Sequence, residues 1–268
     1  MHSGYISTGQ HRLHCLRMGS GKKLLLCFHG YANTADMFAP LLPHLQGEYT
    51  IISIDLPHHG KTEWQRPHKM EVNELMSIVW MFRDEFKLDK VSLMGYSMGG
   101  RMCLKVVELM PEAVDKLILV APDGLSFNSF YYFLTRTLVG KKLFRNFLVR
   151  PERYYPVIDW ARRRKIVSEA RYKFAMQYLQ TPESRNFLLD VWPAMCLLIP
   201  KNSRVRIMVN KHRIPVHLFM GNFDKVIPPD MGKRFQKGMD TVELHIVNKG
   251  HRVMDEDTLP QIAQCLLS

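Results

Sequence analysis

The chain has 268 residues, 46% hydrophobic and 23% charged, enough for one large α/β domain or two small ones with a full core. No stretch approaches the roughly 20 apolar residues that span a bilayer, and the opening MHSGYISTGQHRLHC has no apolar signal region. The net charge of +12 is local: residues 121–213 hold 18 basic and 6 acidic residues, and the remainder holds 19 of each. Five cysteines (Cys15, Cys27, Cys103, Cys196, Cys265) lie scattered with no C-x-x-C. That spacing predicts neither a disulfide framework nor a zinc cage, and reduced thiols point to a cytoplasmic chain.

The first half alternates short apolar runs with helical periodicity. Residues 23–28 (KLLLCF) end in His29-Gly30, residues 49–56 (YTIISIDL) end in Pro57, residues 90–95 (KVSLMG) precede Ser97, and residues 116–120 (KLILV) follow. Fully apolar runs of this length predict a parallel sheet covered on both faces. Between them Val72, Leu75, Met76, Val79, Phe82 and Phe86 mark one stripe of an amphipathic helix. Met102, Val106 and Met110 mark a second, which Pro111 ends. From residue 126 to 213 no strand is expected. This block carries thirteen Phe, Tyr and Trp residues between 127 and 178. Val167, Ala170, Phe174 and Tyr178 lie at helical spacing, with Arg162, Arg163, Arg164, Lys165, Arg171 and Lys173 interleaved, so it reads as a helical insertion. The alternation resumes with residues 216–220 (VHLFM) and 242–247 (VELHIV) and closes with a helix from about residue 257 to 267.

The chemistry gathers at run ends. Gly95 to Gly99 read G-Y-S-M-G between an apolar strand and a helix, the pattern of a turn so sharp that a hydroxyl stands clear at its tip. Gly95 and Gly99 then lack side chains so that strand and helix can approach. A serine needs a base and an orienting carboxylate to become nucleophilic. Asp224 follows VHLFM in G-N-F-D, with Asp230 as fallback, and His251 follows VELHIV in N-K-G-H. Backbone amides of Met98, directly after the serine, and of Tyr31, after the early strand, are candidates for holding a developing oxyanion. His29 and Arg101 are candidates for substrate contact. His58, His59 and His68 lack the carboxylate and cysteine company of a metal site, and no metal is expected.

These pieces resemble the α/β-hydrolase fold family: H-G-Y at 29–31, D-L-P-H-H-G-K-T at 55–62, G-Y-S-M-G-G at 95–100, G-N-F-D at 221–224 and G-H at 250–251. The chain departs from the family's D-x-P-G-x-G-x-S at His58 and Thr62. The resemblance implies a mostly parallel sheet flanked by helices, with a core over 1–122 and 214–268. It makes residues 123–213 a helical cap, inserted after the sixth strand and lying over the site. It also implies a cofactor-independent serine hydrolase of esters or related acyl bonds, with Ser97, Asp224 and His251 as triad and Tyr31 and Met98 as oxyanion hole. G-Y-S-M-G-G-R also looks like the elbow of the menaquinone-pathway lyases of this fold. That leaves open elimination or carbon–carbon cleavage of an anionic substrate, with Arg101 as carboxylate clamp. A third reading makes the fold a non-catalytic binding scaffold. The expected partner is a small-molecule acyl substrate and not nucleic acid. A cap both basic and aromatic suits anionic substrates or anionic lipid surfaces.

Overall fold

The computed structural model describes residues 1–166, 172, 176 and 178–268. They divide into two compact units: Met1–Gln65, Met70–Phe127 and Leu198–Ser268 form the first, and Arg66–Lys69 with Asn128–Leu197 the second.

The first unit is built on an eight-stranded sheet. Strands β1 (His2–Thr8), β2 (His11–Met18), β3 (Lys23–Phe28), β4 (Tyr49–Ile54), β5 (Val91–Tyr96), β6 (Val114–Val120), β7 (Val216–Gly221) and β8 (Val242–Val247) stand in the order β1-β2-β4-β3-β5-β6-β7-β8. The pairs β1–β2 and β2–β4 are antiparallel and the others parallel. The six apolar runs of the sequence are β3 to β8. The antiparallel pair at the amino terminus is a structural addition: β2 turns His11 and His14 inward beside Leu13, Leu16 and Met18, which hides the apolar signature of a buried strand.

Helices α1 (Val72–Phe86) and α2 (Met98–Leu109) carry the two predicted stripes. Glu71 and Glu74 cap α1 reciprocally, satisfying two amides at its start. A 3-10 segment (Ala35–Leu45) follows β3 and sets Phe38, Leu41 and Leu45 into the core with Met18, Leu25, Ile51 and Phe219.

In the second unit α3 (Ser129–Arg136), α4 (Leu138–Val149), α5 (Tyr155–Arg163) and α6 (Pro182–Ala194) are helical, and no strand occurs among its described residues. Trp192 anchors it: its ring meets Tyr131 at 5.2 Å and Phe144 at 5.4 Å, and its carbonyl accepts the Tyr131 hydroxyl at 2.9 Å. Much of the stripe through Val167, Ala170 and Phe174, with Arg171 and Lys173, lies outside the described residues.

The chain then returns to the first unit with α7 (Asn202–His212), α8 (Pro229–Gln236) and α9 (Leu259–Leu267). Helix α7 belongs with the sheet, although its Lys and Arg residues make it read as part of the basic insertion. Only Val205 and Val209 are buried in it, too short a stripe to reveal a core helix in sequence. No helix among the described residues is long and apolar enough to cross a membrane.

Candidate active site

Strand β3 connects to β4 on one side, while β5 and its successors extend the sheet on the other. The loops leaving β3 and β5 thus open a crevice at the strands' carboxyl ends, where open α/β sheets place their sites.

The turn from β5 to α2 sets Ser97 at φ 48° and ψ −114°, a sparsely populated conformation that costs on the order of 1–3 kcal/mol. Three backbone bonds hold it there. The Ser97 amide donates to Val120 O at 3.0 Å, and the Ser97 carbonyl accepts from Gly100 N at 2.9 Å and Asp123 N at 2.8 Å. Strand and helix meet closely at this point. A Cβ on Gly95 would lie 2.6 Å from Gly99 O and 2.8 Å from Gly100 Cα. A Cβ on Gly99 would strike the backbone of Phe28 and His29. Neither position tolerates a side chain, as the motif implies.

The register of β7 and β8 brings two distant residues to Ser97. Gly221 pairs with Val247, so the loops after these strands start level with one another. Asp224 turns back on the first loop: its Oδ1 accepts from the amides of Val226 at 2.8 Å and Ile227 at 2.9 Å. Its Oδ2 accepts the Nδ1–H of His251 at 2.7 Å. That bond places the ring proton on Nδ1, which leaves the Nε2 lone pair facing Ser97 Oγ at 2.9 Å. The Asp224 side chain is fully buried, while Ser97 and His251 are partly open. Tyr96 steadies the histidine, donating its hydroxyl to His251 O at 3.2 Å. Asp230, the fallback acid, is an exposed partner of Lys233.

Met98 is the first residue of α2, where an amide has no intrahelical acceptor and the helix dipole favours negative charge. Tyr31 follows Gly30, whose Cα approaches the Tyr96 ring so closely that a Cβ would sit 2.8 Å from Tyr96 Cδ1. The loop after β3 is therefore pressed against the residue preceding Ser97.

His29 has both ring nitrogens engaged within the protein. It is wholly buried, its Nδ1–H donates to Gly30 O at 2.8 Å, and its Nε2 accepts from Leu56 N at 3.0 Å. Burial pushes its pKa down to about 4, so it is a neutral brace between two loops. His59 is a second brace: its Nδ1–H donates to Pro57 O and its Nε2 accepts from Ala32 N. Burial, with the neighbouring His29, pushes it to about 3. The two departures from the family pattern, His58 and Thr62, lie in this same loop. His58 takes φ 65°, a left-handed conformation that histidine enters more readily than most residues. Thr62 Oγ1 donates to Asp55 O at 2.6 Å, which a serine hydroxyl could also do. Asp55 accepts from Ala35 N, Lys61 N and His14 Nδ1. Burial would raise its pKa, but these bonds hold it below the usual range. Arg101 is not a surface residue. Its buried Nε lies 2.9 Å from Asp123 Oδ2, an ion pair joining α2 to the loop after β6, and this employment differs from the substrate contact expected for it.

Comparison with known proteins agrees with this architecture. A family profile described as alpha/beta hydrolase fold matches residues 23–258. An uncharacterized hydrolase of Bacillus subtilis is 24% identical over 253 residues, 88% of this chain and 86% of the relative. A monoacylglycerol lipase of Homo sapiens is 23% identical over 251 residues, 88% of this chain and 72% of the relative. The solved structure of a 2-hydroxy-6-oxo-6-phenylhexa-2,4-dienoate hydrolase from Rhodococcus superposes with a TM-score of 0.65 at 19% identity, covering 99% of this chain and 98% of that one.

Proposed function

The chain is an enzyme of the α/β hydrolase fold family, and we propose that it is a serine hydrolase cleaving esters or related acyl bonds through an acyl-enzyme. The observation that carries this reading is the unbroken relay from Asp224 through His251 to Ser97, with contacts of 2.7 and 2.9 Å. In the proposed mechanism His251 Nε2 takes the Ser97 proton as Oγ attacks the substrate carbonyl. Asp224 holds the tautomer and stabilises the imidazolium that forms. The amides of Met98 and Tyr31 receive the negative oxygen, each such donor being worth about 3 kcal/mol. His251 then returns the proton to the leaving group, and water attacks the acyl-enzyme by the same route. The human relative is named a monoacylglycerol lipase, and from it we carry over only the ester class.

Elimination or carbon–carbon cleavage on a carboxylate substrate would reuse the same three side chains. The Rhodococcus structure supports the fold and not that chemistry, and the clamp expected of Arg101 is engaged with Asp123, so the acyl reading is preferred. A fluorophosphonate probe tests it. It is expected to label the wild-type chain at Ser97, and Ser97→Ala is expected to abolish labelling and turnover of p-nitrophenyl esters. Labelling that persists in Ser97→Ala would overturn the assignment.

A further inference from the structure

The face of the sheet covered by α9 holds a second cluster of chemically capable side chains. In β7 and β8, His217 stands beside Glu243 and Phe219 beside His245. Alternation along each strand puts His217, Glu243 and His245 on one face. Helix α9 packs Leu259, Ile262, Ala263 and Leu266 into the core on this side and brings Cys265 toward the strands. The donor atoms converge. His217 Nδ1 lies 3.4 Å from His245 Nε2, and Cys265 Sγ lies 3.8 Å from the same Nε2. All three lie within 4.8 Å of one another. Glu243 Oε2 is 3.2 Å from His217 Nδ1 and 3.8 Å from His245 Nε2.

A tetrahedral zinc ion with bonds of about 2.0 Å to nitrogen and about 2.3 Å to sulfur spaces its ligand atoms by roughly 3.3–3.7 Å. Two of the spacings, 3.4 Å between the imidazole nitrogens and 3.8 Å from His245 Nε2 to the thiol, are close to that set before any side chain moves. We propose that His217, His245 and Cys265 bind a divalent transition-metal ion of the zinc class, with the carboxylate of Glu243 closing the fourth position. Two imidazoles and a thiolate suit zinc and disfavour magnesium and calcium, which take oxygen ligands. Glu243 is two-thirds exposed and His245 partly so, which gives the ion a way in and leaves the carboxylate room to adjust. Phe219 stacks on the His245 ring at 4.4 Å and fixes its plane. Lys116 donates to the Cys265 and Leu266 carbonyls and anchors the end of α9 that presents the thiol. A bound ion would tie α9 to β7 and to the edge strand β8, the two strands that lead to Asp224 and His251. Such a site would go beyond the sequence reading, in which no metal is expected, because its three ligands come from elements that sequence spacing does not relate.

The test needs no substrate. The full chain is stripped with a chelator and titrated with Zn²⁺ against a chromophoric competitor, and in parallel with Co²⁺. One equivalent is expected to bind, with the visible bands of tetrahedral cobalt and a thiolate-to-cobalt charge-transfer band that Cys265→Ser removes. His217→Ala and Cys265→Ser are expected to weaken zinc at least about 100-fold, and Glu243→Gln, at an exposed position, about tenfold. Zinc is expected to raise the melting temperature of the wild type and of neither ligand variant, whose folding is checked by circular dichroism. Absence of stoichiometric binding, a cobalt spectrum without the thiolate band, or zinc affinity unchanged in Glu243→Gln and Cys265→Ser would overturn the proposal.

Discussion

Replacing Gly95 by Ala tests whether the close contact of β5 and α2 is what aims Ser97. The added Cβ would lie 2.6 Å from Gly99 O, 2.7 Å from Gly99 C and 2.8 Å from Gly100 Cα. Comfortable separations begin at about 3.5 Å, so the first turn of α2 must retreat by roughly 1 Å. The obstructing atoms are backbone, and no rotamer change relieves them. Overpacking of this kind costs typically about 1–3 kcal/mol. The displaced turn also carries Ser97 and Met98, and a misplacement of about 1 Å at a reacting group can cost about 100-fold in rate. The control is Gly250→Ala, which meets nothing within 4 Å and has no left-handed backbone to strain. Urea unfolding should show Gly95→Ala losing at least about 1 kcal/mol while Gly250→Ala stays within about 0.5 kcal/mol of wild type. Hydrolysis of p-nitrophenyl acetate by Gly95→Ala should fall by about 100-fold. If Gly95→Ala matches the control in stability and retains wild-type turnover, the steric account of the turn is wrong.

Two further outcomes are expected. Asp224→Asn should keep the fold but lower kcat by about 10⁴-fold, because an amide can hold His251 in the wrong tautomer; a loss under tenfold in ester turnover would remove Asp224 from the relay. The buried neutral histidines set an acid limit on stability. Folding lowers the pKa of His29 to about 4 and of His59 to about 3, below the unfolded value of about 6.5, so the folded state binds fewer protons. Their contribution is complete above about pH 6.5 and fades as pH falls through about 4 and then about 3, on the order of 3 kcal/mol for His29 alone. Urea midpoints between pH 7 and 4 should fall less steeply in a His29→Gln, His59→Gln double variant than in the wild type, and parallel slopes would refute the assignment.

Sequence alone determined the six parallel strands, the two helical stripes beside them, and the three residues of the candidate relay with their order. Each of those signals is local: an apolar run is legible without knowing its neighbours, and the glycine at position 95 records a clash with residues four and five positions on. Tertiary structure decided what depends on packing between distant segments. It set β2 against β4 with β1 on its outer side, buried His29 and paired Arg101 with Asp123, and gave α7 to the sheet rather than to the basic insertion. It also gathered His217, His245 and Cys265, separated by 28 and 20 residues, through the parallel register of two strands and the seating of one helix over them. A periodicity reports which face of an element is buried; what lies against that face is fixed only when the chain closes on itself.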